Sequence, residues 1–136
     1  MDFAPALNRM FFASTPSGAF EETENGIEKI VVREVPNSGP VAVASVSHRD
    51  ELTNNWLKNN NIKDTISIGS SLKFCLVACG EADVYPRFGP TMEWDTAAGD
   101  AVLRSAGGKV HLPNGETFTY GKLNYRNSAF IAYGNF

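Results

Sequence analysis

The sequence predicts an α/β fold in which a short antiparallel β-meander precedes a lobe of mixed sheet with flanking helices. Residues 8–34 contain three extended runs separated by turn sequences, a pattern that is typical of a meander. From residue 41 onward, short apolar runs alternate with segments of helical periodicity. Because such alternation places helices against a mostly buried sheet, this part of the chain indicates an α/β lobe.

The meander is predicted from its turns. Residues 15–18, with the sequence Thr-Pro-Ser-Gly, and the pair Asn25 and Gly26 are strong turn signals. They separate three predicted strands, at residues 8–14, 19–22 and 27–34. The following segment is rich in proline and glycine, as in a connector between structural units. We therefore predict antiparallel strands over residues 1–35, a connector over 36–40 and an α/β lobe over 41–136.

The lobe is predicted from the spacing of its apolar residues. Runs of β-branched and small apolar residues predict strands, whereas apolar residues three and four positions apart predict helices. The last predicted helix ends at Gly107 and Gly108, a common helix stop. The predicted strands are residues 41–46, 65–68, 82–85, 109–112 and 128–133, and the predicted helices are residues 50–59, 70–79 and 94–106.

The composition excludes several classes of protein. With 136 residues, 43% of them apolar and 20% charged, the chain is expected to form one folded, soluble unit. A net charge of −3 argues against binding of a nucleic acid polymer, and no apolar run is long enough for a membrane helix. With no signal peptide at the start, a cytoplasmic location is expected. Cys75 and Cys79, four residues apart in a predicted helix, are expected to be buried thiols.

Two segments place polar groups at predicted helix starts. Asp95 lies where free backbone N–H groups and the helix dipole favour an ionised carboxylate, which suits a cation. A plain N-cap explains the same position. Residues 69–73, with the sequence Gly-Ser-Ser-Leu-Lys, place two hydroxyls and a lysine where an anion would bind. A serine-capped helix with a solvated lysine is the alternative.

Two further residues are candidates for ligand binding. Arg87 lies on a loop stiffened by proline, and a guanidinium suits a phosphate or a nucleobase. His48 follows a predicted buried strand, at the edge where open α/β sheets bind ligands. An arginine on a loop is otherwise simply solvated, and a lone histidine is usually structural. Local pattern alone therefore leaves a structural explanation open for each.

Four motifs are more specific together than any one of them. In order, they are residues 69–75 (Gly-Ser-Ser-Leu-Lys-Phe-Cys), 85–90 (Tyr-Pro-Arg-Phe-Gly-Pro), 94–99 (Trp-Asp-Thr-Ala-Ala-Gly) and 106–108 (Ala-Gly-Gly). Together they resemble the bacterial 3′(2′),5′-bisphosphate nucleotidases of sulfate assimilation, which belong to the lithium-sensitive inositol monophosphatase superfamily. Residues 4–8 also resemble the strand that precedes the C-terminal lobe of that family, so the likeness covers nearly the whole chain.

The resemblance implies a fold, a reaction and a set of site residues. The implied fold is the C-terminal lobe of the sugar-phosphatase fold, preceded by strands of an incomplete N-terminal sheet. The implied reaction is the magnesium-dependent hydrolysis of 3′-phosphoadenosine 5′-phosphate, an adenosine bisphosphate nucleotide, to AMP and phosphate. In that family the aspartate of the Trp-Asp element binds Mg²⁺, and this role falls on Asp95. The implied nucleotide-binding residues are His48, Ser70, Lys73 and Arg87.

Two motifs of the resembled family are missing from the chain. The other metal ligands of the family lie on an upstream Glu-Glu pair and an Asp-Pro-Ile-Asp-Gly-Thr element, and neither is present in these 136 residues. We therefore expect a truncated product, a fragment or one half of a split enzyme, with little phosphatase activity by itself. The alternatives are an inositol- or sugar-phosphate phosphatase fragment and a non-catalytic nucleotide-binding or interaction domain.

The absence of the preceding half also implies an uncovered apolar surface on the meander. An exposed apolar patch and a bare strand edge both favour association with another chain. We therefore expect self-association through residues 3–34, as a homo-oligomer, or binding of a missing N-terminal half. The apolar residues expected to lack cover are Phe3, Leu7, Met10, Phe11, Phe12 and Phe20.

Overall fold

The structure is a computed structural model that describes residues 2–4, 8–45, 49–69 and 71–136. The strands of these ranges are β1 (Asp2–Ala4), β2 (Arg9–Ser14), β3 (Gly18–Thr23), β4 (Gly26–Ile30), β5 (Val41–Ala44), β6 (Asp64–Ser67), β7 (Val84–Arg87), β8 (Thr91–Met92), β9 (Lys109–His111), β10 (Arg126–Asn127) and β11 (Phe130–Tyr133). The helices are α1 (Glu51–Asn59), α2 (Leu72–Ala78) and α3 (Glu93–Ser105), with a short 3₁₀ helix at Leu123–Tyr125. The α/β fold class is therefore confirmed.

The first sheet is an antiparallel meander with the strand order β1-β2-β3-β4. Its last three strands correspond to the three that the turn sequences predict, although β4 ends at Ile30 and not at residue 34. Strand β1 is not predicted by the sequence pattern, and it pairs with β2 through Phe3 opposite Met10. The side chains of Phe3 and Leu7 lie outside the described residues.

The predicted lack of cover on the meander is wrong for Phe11. Its side chain is fully buried, because successive residues of β2 alternate between the two faces of the sheet and Phe11 faces the core. Met10, Phe12 and Phe20 are half-buried, and the rings of Phe12 and Phe20 stack with their centroids 5.4 Å apart. Self-association through this sheet stays a prediction.

The second sheet is mixed and has the strand order β6-β5-β7-β11-β9. Strand β5 is parallel to both of its neighbours, whereas β11 is antiparallel to β7 and to β9. The predicted strand at residues 82–85 is displaced by two residues, to Val84–Arg87, and the predicted helix at residues 70–79 is shorter, at Leu72–Ala78. This mixed sheet with helices packed against it agrees with the predicted lobe.

One core joins the meander to the lobe. Phe11 and Ile30 of the first sheet belong to the same buried cluster as Phe74 of α2 and Leu103 of α3. The chain between the sheets is also attached to the lobe, since the backbone N–H of Val32 donates to Ala106 O at 3.0 Å. The meander therefore supports the two helices that carry the candidate site. The domain boundary at residues 36–40 stays a prediction.

The two cysteines are free thiols, as the sequence predicts, but the predicted full burial is correct for Cys75 only. Cys75 is buried, whereas Cys79 is half-buried. Burial is the main reason why the pKa of the Cys79 thiol is raised to about 11. Cys79 is therefore protonated near neutral pH and is a weak nucleophile. Separately, no helix in the described part of the chain combines the length and apolar character needed to cross a membrane.

Candidate functional site

A cavity of about 490 Å³ lies at the edge of the second sheet where β5, β6 and β7 end. Residues that follow or end these three strands meet there, because the strands are parallel and their carboxyl ends share one edge. The first turns of α2 and α3 form the remaining wall. The lining residues are Ser45, Gly69, Ser71, Lys73, Phe74, Tyr85, Arg87, Pro90, Thr91, Trp94, Asp95 and Thr96.

Lys73 supplies a buried ammonium group to this cavity. Its side chain is only 4% exposed, so the alternative of a solvated lysine is wrong. The Nζ atom lies 3.4 Å from Ile68 O and 5.4 Å from the centre of the Tyr85 ring. Burial, and to a smaller extent the charge of Arg87, lower the pKa of Lys73 to about 8. No carboxylate within the described residues forms an ion pair with it.

Arg87 supplies the second cation, and it too is buried. It is the last residue of β7, and only 8% of its surface is exposed. Its Nε donates to Gly89 O at 3.3 Å and its Nη2 donates to Pro90 O at 3.2 Å. Both acceptors are neutral carbonyl oxygens. No described carboxylate forms an ion pair with the guanidinium, although Asp50 is close enough for the charge of Arg87 to contribute to the lowering of its pKa. The alternative of a solvated loop arginine is therefore wrong.

Asp95 lies in the first turn of α3, as its sequence context predicts. Its Oδ2 accepts a hydrogen bond from the backbone N–H of Met92 at 2.9 Å, which satisfies one free donor at the helix start. The same side chain lines the cavity that holds Lys73 and Arg87. The capping role and a role toward a ligand are therefore compatible in one residue.

The described residues do not by themselves form a complete metal centre. Among them, no group of three or more His, Cys, Asp or Glu side chains is arranged to hold an ion. Mg²⁺ requires near-octahedral coordination by oxygen atoms, usually completed by water and substrate phosphate. Within the described part of the chain, Asp95 is the carboxylate that the cavity offers to such an ion.

Aromatic side chains form the apolar part of the wall. Tyr85 is almost completely buried, and this burial is the main cause of the rise of its pKa to about 12. Its phenol is therefore a neutral hydrogen-bonding group at physiological pH. Trp94, in contrast, is 69% exposed at the start of α3. The cavity thus combines a planar apolar surface with two cations.

The start of α3 is fixed by a loop that is distant in sequence. The Glu93 carboxylate accepts hydrogen bonds from the backbone N–H groups of Gly121, at 3.1 Å, and Lys122, at 2.9 Å. The Lys122 Nζ lies 3.1 Å from the same carboxylate. These contacts, chiefly the backbone N–H of Lys122, lower the pKa of Glu93. Glu93, which precedes Trp94 and Asp95, is therefore ionised, and its hydrogen bonds fix the start of α3.

Three of the five predicted site residues converge on the cavity. Lys73, Arg87 and Asp95 line it together, although they come from α2, β7 and α3. His48 and Ser70 lie outside the described residues. The hydroxyls of Thr91 and Thr96 were not singled out from the sequence, and no local signal distinguishes them from ordinary surface threonines.

These features place the chain in a known family. A mixed sheet with a polar cavity at its carboxyl edge, built from the motifs at residues 69–75, 85–90 and 94–99, defines an inositol monophosphatase-like lobe. Residues 3–133 match the inositol monophosphatase family. The chain therefore belongs to the inositol monophosphatase family.

Relatives with a more specific description are similar over nearly the whole chain. The 3′(2′),5′-bisphosphate nucleotidase CysQ of Salmonella typhimurium is 46% identical over 119 residues, which cover 87% of this chain and 47% of that protein. The CysQ protein of Buchnera aphidicola is 40% identical over 133 residues, 98% of this chain and 48% of that protein. The chain thus spans about half the length of these relatives.

Solved structures give the same result for the fold. The crystal structure of CysQ from Bacteroides thetaiotaomicron, a bacterial member of the inositol monophosphatase family, superimposes with a TM-score of 0.86 at 34% identity. That match covers 98% of this chain and 56% of the other. The Thermotoga maritima IMPase TM1415 gives a TM-score of 0.77 at 25% identity, over 97% of this chain and 49% of the other.

Proposed function

We propose that this chain forms the nucleotide-binding lobe of a 3′(2′),5′-bisphosphate nucleotidase and that its cavity binds an adenosine bisphosphate. The observation that carries the proposal is the pair of buried cations, Lys73 and Arg87, neither of which forms an ion pair with a carboxylate of the described residues. A buried charge that is not directly paired is unfavourable, so an anionic ligand would relieve it. The CysQ proteins of 46% and 40% identity support the choice of nucleotide.

The cavity chemistry suits a phosphate group better than a neutral ligand. A guanidinium and an ammonium can both donate charge-assisted hydrogen bonds to phosphate oxygens. The chain as a whole is acidic, with a net charge of −3, so the attraction for phosphate is local to the cavity. We assign the second phosphate, the sugar and the base of the nucleotide to Lys73 and Arg87, together with His48 and Ser70.

The proposed reaction is removal of one phosphate from 3′-phosphoadenosine 5′-phosphate, with AMP as the other product. The metal proposed for it is Mg²⁺, with Asp95 as one ligand. A bound divalent ion would polarise the phosphate and lower the pKa of an attacking water. The described residues supply one carboxylate of that centre, so we derive no catalytic step from them and expect little turnover by this chain alone.

Two other functions have some support. The family match and the likeness to the Thermotoga IMPase are compatible with an inositol- or sugar-phosphate substrate. The two buried cations, Lys73 and Arg87, would also suit a non-catalytic nucleotide-binding domain. We prefer the bisphosphate nucleotide as ligand because the relatives that cover most of the chain at high identity are bisphosphate nucleotidases.

The pH dependence of binding tests the proposal. The affinity of the chain for 3′-phosphoadenosine 5′-phosphate should be constant near pH 7 and should fall as the pH rises through about 8. The reason is that the phosphate bonds the protonated amine of Lys73. Above the pKa that Lys73 has in the ligand-free protein, this amine must take up a proton before it can bind the phosphate. The fall should approach about tenfold per pH unit. Isothermal titration calorimetry between pH 7 and 9.5 measures it.

The control for this experiment is Lys73→Arg. A guanidinium stays charged throughout this range, so the affinity of this variant should not change with pH. The phosphate groups of the ligand complete their own ionisation near pH 6, below the range measured. A flat profile for the unmodified chain, or an equal fall in Lys73→Arg, would contradict the proposed role of Lys73.

A further inference from the structure

Asn127 connects two segments of the site wall, although it lines a second cavity, together with Phe88 and Arg126. It lies in β10, opposite Thr91 of β8, and only 2% of its surface is exposed. Its Nδ2 donates to the Thr91 hydroxyl at 3.0 Å and to the Thr96 hydroxyl at 3.2 Å. Both threonines line the cavity that contains Lys73 and Arg87. One buried amide therefore holds the wall on both sides of Trp94 and Asp95.

Each threonine is adjacent to a residue that matters for the proposed site. One neighbour bonds Arg87, and the other is Asp95. Thr91 follows Pro90, whose carbonyl oxygen accepts the hydrogen bond from Arg87 Nη2 at 3.2 Å. Thr96 follows Asp95, and its hydroxyl also donates to Glu93 O at 3.3 Å. A displacement of either threonine would therefore move the loop at residues 88–90, which follows Arg87, relative to the first turn of α3.

The other end of the Asn127 side chain is not satisfied. Among the described residues, its Oδ1 is the buried side-chain oxygen without a hydrogen-bond partner. The hydrogen bonds of this side chain within the described residues are thus both directed to the wall of the site. The Asn127 amide nitrogen is therefore the atom directed toward both threonine hydroxyls.

We propose that Asn127 is a positioning residue that sets the distance between the loop at residues 88–90, which follows Arg87, and the first turn of α3, which contains Asp95, and thereby the affinity of the cavity for a bisphosphate. The role rests on the proposed function, because it concerns the geometry of the same cavity. Asn127 does not contact the ligand. It acts through Thr91 and Thr96, in the same way that residues behind a binding site orient the residues that contact the ligand.

Asn127→Leu tests this role, because leucine keeps the branched shape of asparagine and removes both N–H donors. We expect the dissociation constant for 3′-phosphoadenosine 5′-phosphate to rise by about tenfold, the lower end of the effect of losing an outer residue at a metal site. Val110→Ala is the control of matched instability, since Val110 is 1% exposed on β9 and does not line the cavity. That variant should lose stability without loss of affinity.

A mutant cycle in which Thr91→Val and Thr96→Val are made together separates positioning from a general loss of stability. If Asn127 acts through these two threonines, Asn127→Leu should weaken binding by less than about threefold once both are already valine. A factor that is equal in both backgrounds would contradict the role, and so would an unchanged affinity in Asn127→Leu. Loss of binding in Val110→Ala would also contradict the role, because instability alone would then explain the effect of Asn127→Leu.

A measurement without ligand keeps this inference distinct from the proposed function. The ¹H–¹⁵N NMR signal of Arg87 Nε reports the hydrogen bond to Gly89 O. We expect this signal to shift or broaden in Asn127→Leu and to stay in place in Val110→Ala. If the unmodified chain binds no bisphosphate, the proposed function is wrong, and this signal alone decides the positioning role. An unchanged signal in Asn127→Leu would overturn it.

Discussion

Replacement of Lys73 by methionine is expected to weaken the binding of 3′-phosphoadenosine 5′-phosphate by roughly ten- to hundredfold at pH 7. A hydrogen bond to a charged group contributes about 1.5–3 kcal/mol, which corresponds to that range of affinity. Methionine retains most of the buried stem of lysine, and loss of an unpaired buried ammonium should not destabilise the fold. Calorimetric titration of the folded variant therefore measures the contribution of the charge.

Arg87→Met should have an effect of the same order, and the double variant should bind more weakly than either single variant. Lys109→Met is the matched control. Lys109 is exposed on β9, with its Nζ 5.5 Å from the centre of the Tyr133 ring, and it does not line the cavity. If the double variant retains the affinity of the unmodified chain, the assignment of Lys73 and Arg87 to the ligand is wrong.

The largest effect on stability is expected for Arg33→Met, with a loss of about 3 kcal/mol in the free energy of unfolding. Arg33 forms two hydrogen bonds with the carboxylate of Asp83, at 3.1 and 2.8 Å. The Asp83 side chain is completely buried, whereas that of Arg33 is 30% exposed. Removal of the arginine leaves a buried carboxylate with the backbone N–H of Val41, at 2.8 Å, as its remaining described donor.

Urea denaturation followed by circular dichroism measures this change. Arg126→Met is a suitable control, because Arg126 is exposed and forms no ion pair within the described residues. The double variant Arg33→Met and Asp83→Asn should recover part of the loss, since the buried charge is then absent and the amide oxygen can still accept from Val41. If the free energy of unfolding of Arg33→Met equals that of the control, the pair of Arg33 and Asp83 does not stabilise the attachment of the connecting segment, residues 31–40, to the lobe.

The elements of the fold were predictable where one local signal determines them. The turn at Asn25 and Gly26 and the alternation of strand and helix after residue 41 depend on neighbouring residues only. The pairing of β8 with β10 was not predictable, because each strand has two residues and the partners lie more than 30 positions apart. Strand β4 ends early for a related reason, since Val32 and Arg33 bond to the lobe, at Ala106 and Asp83.

The candidate site was predictable from its motifs and not from the local pattern of each residue. Lys73 and Arg87 resemble solvated surface cations by their neighbours, and their burial at 4% and 8% depends on the packing of α2 and β7. Asp95 resembles a helix cap, and it does accept the capping hydrogen bond from Met92. Asn127 had no sequence signal at all, because its role depends on threonines 31 and 36 residues away.

The most direct test of the account is an NMR titration of the chain with 3′-phosphoadenosine 5′-phosphate. The two tryptophans supply an internal control, because Trp94 lines the cavity whereas Trp56 of α1 packs against Phe136, with ring centroids 6.3 Å apart. The account predicts that the Trp94 indole N–H and the Arg87 Nε signals shift together with one dissociation constant, while the Trp56 indole signal stays in place. Shifts of Trp56 without shifts of Trp94 and Arg87, or no shift at millimolar nucleotide, would contradict it.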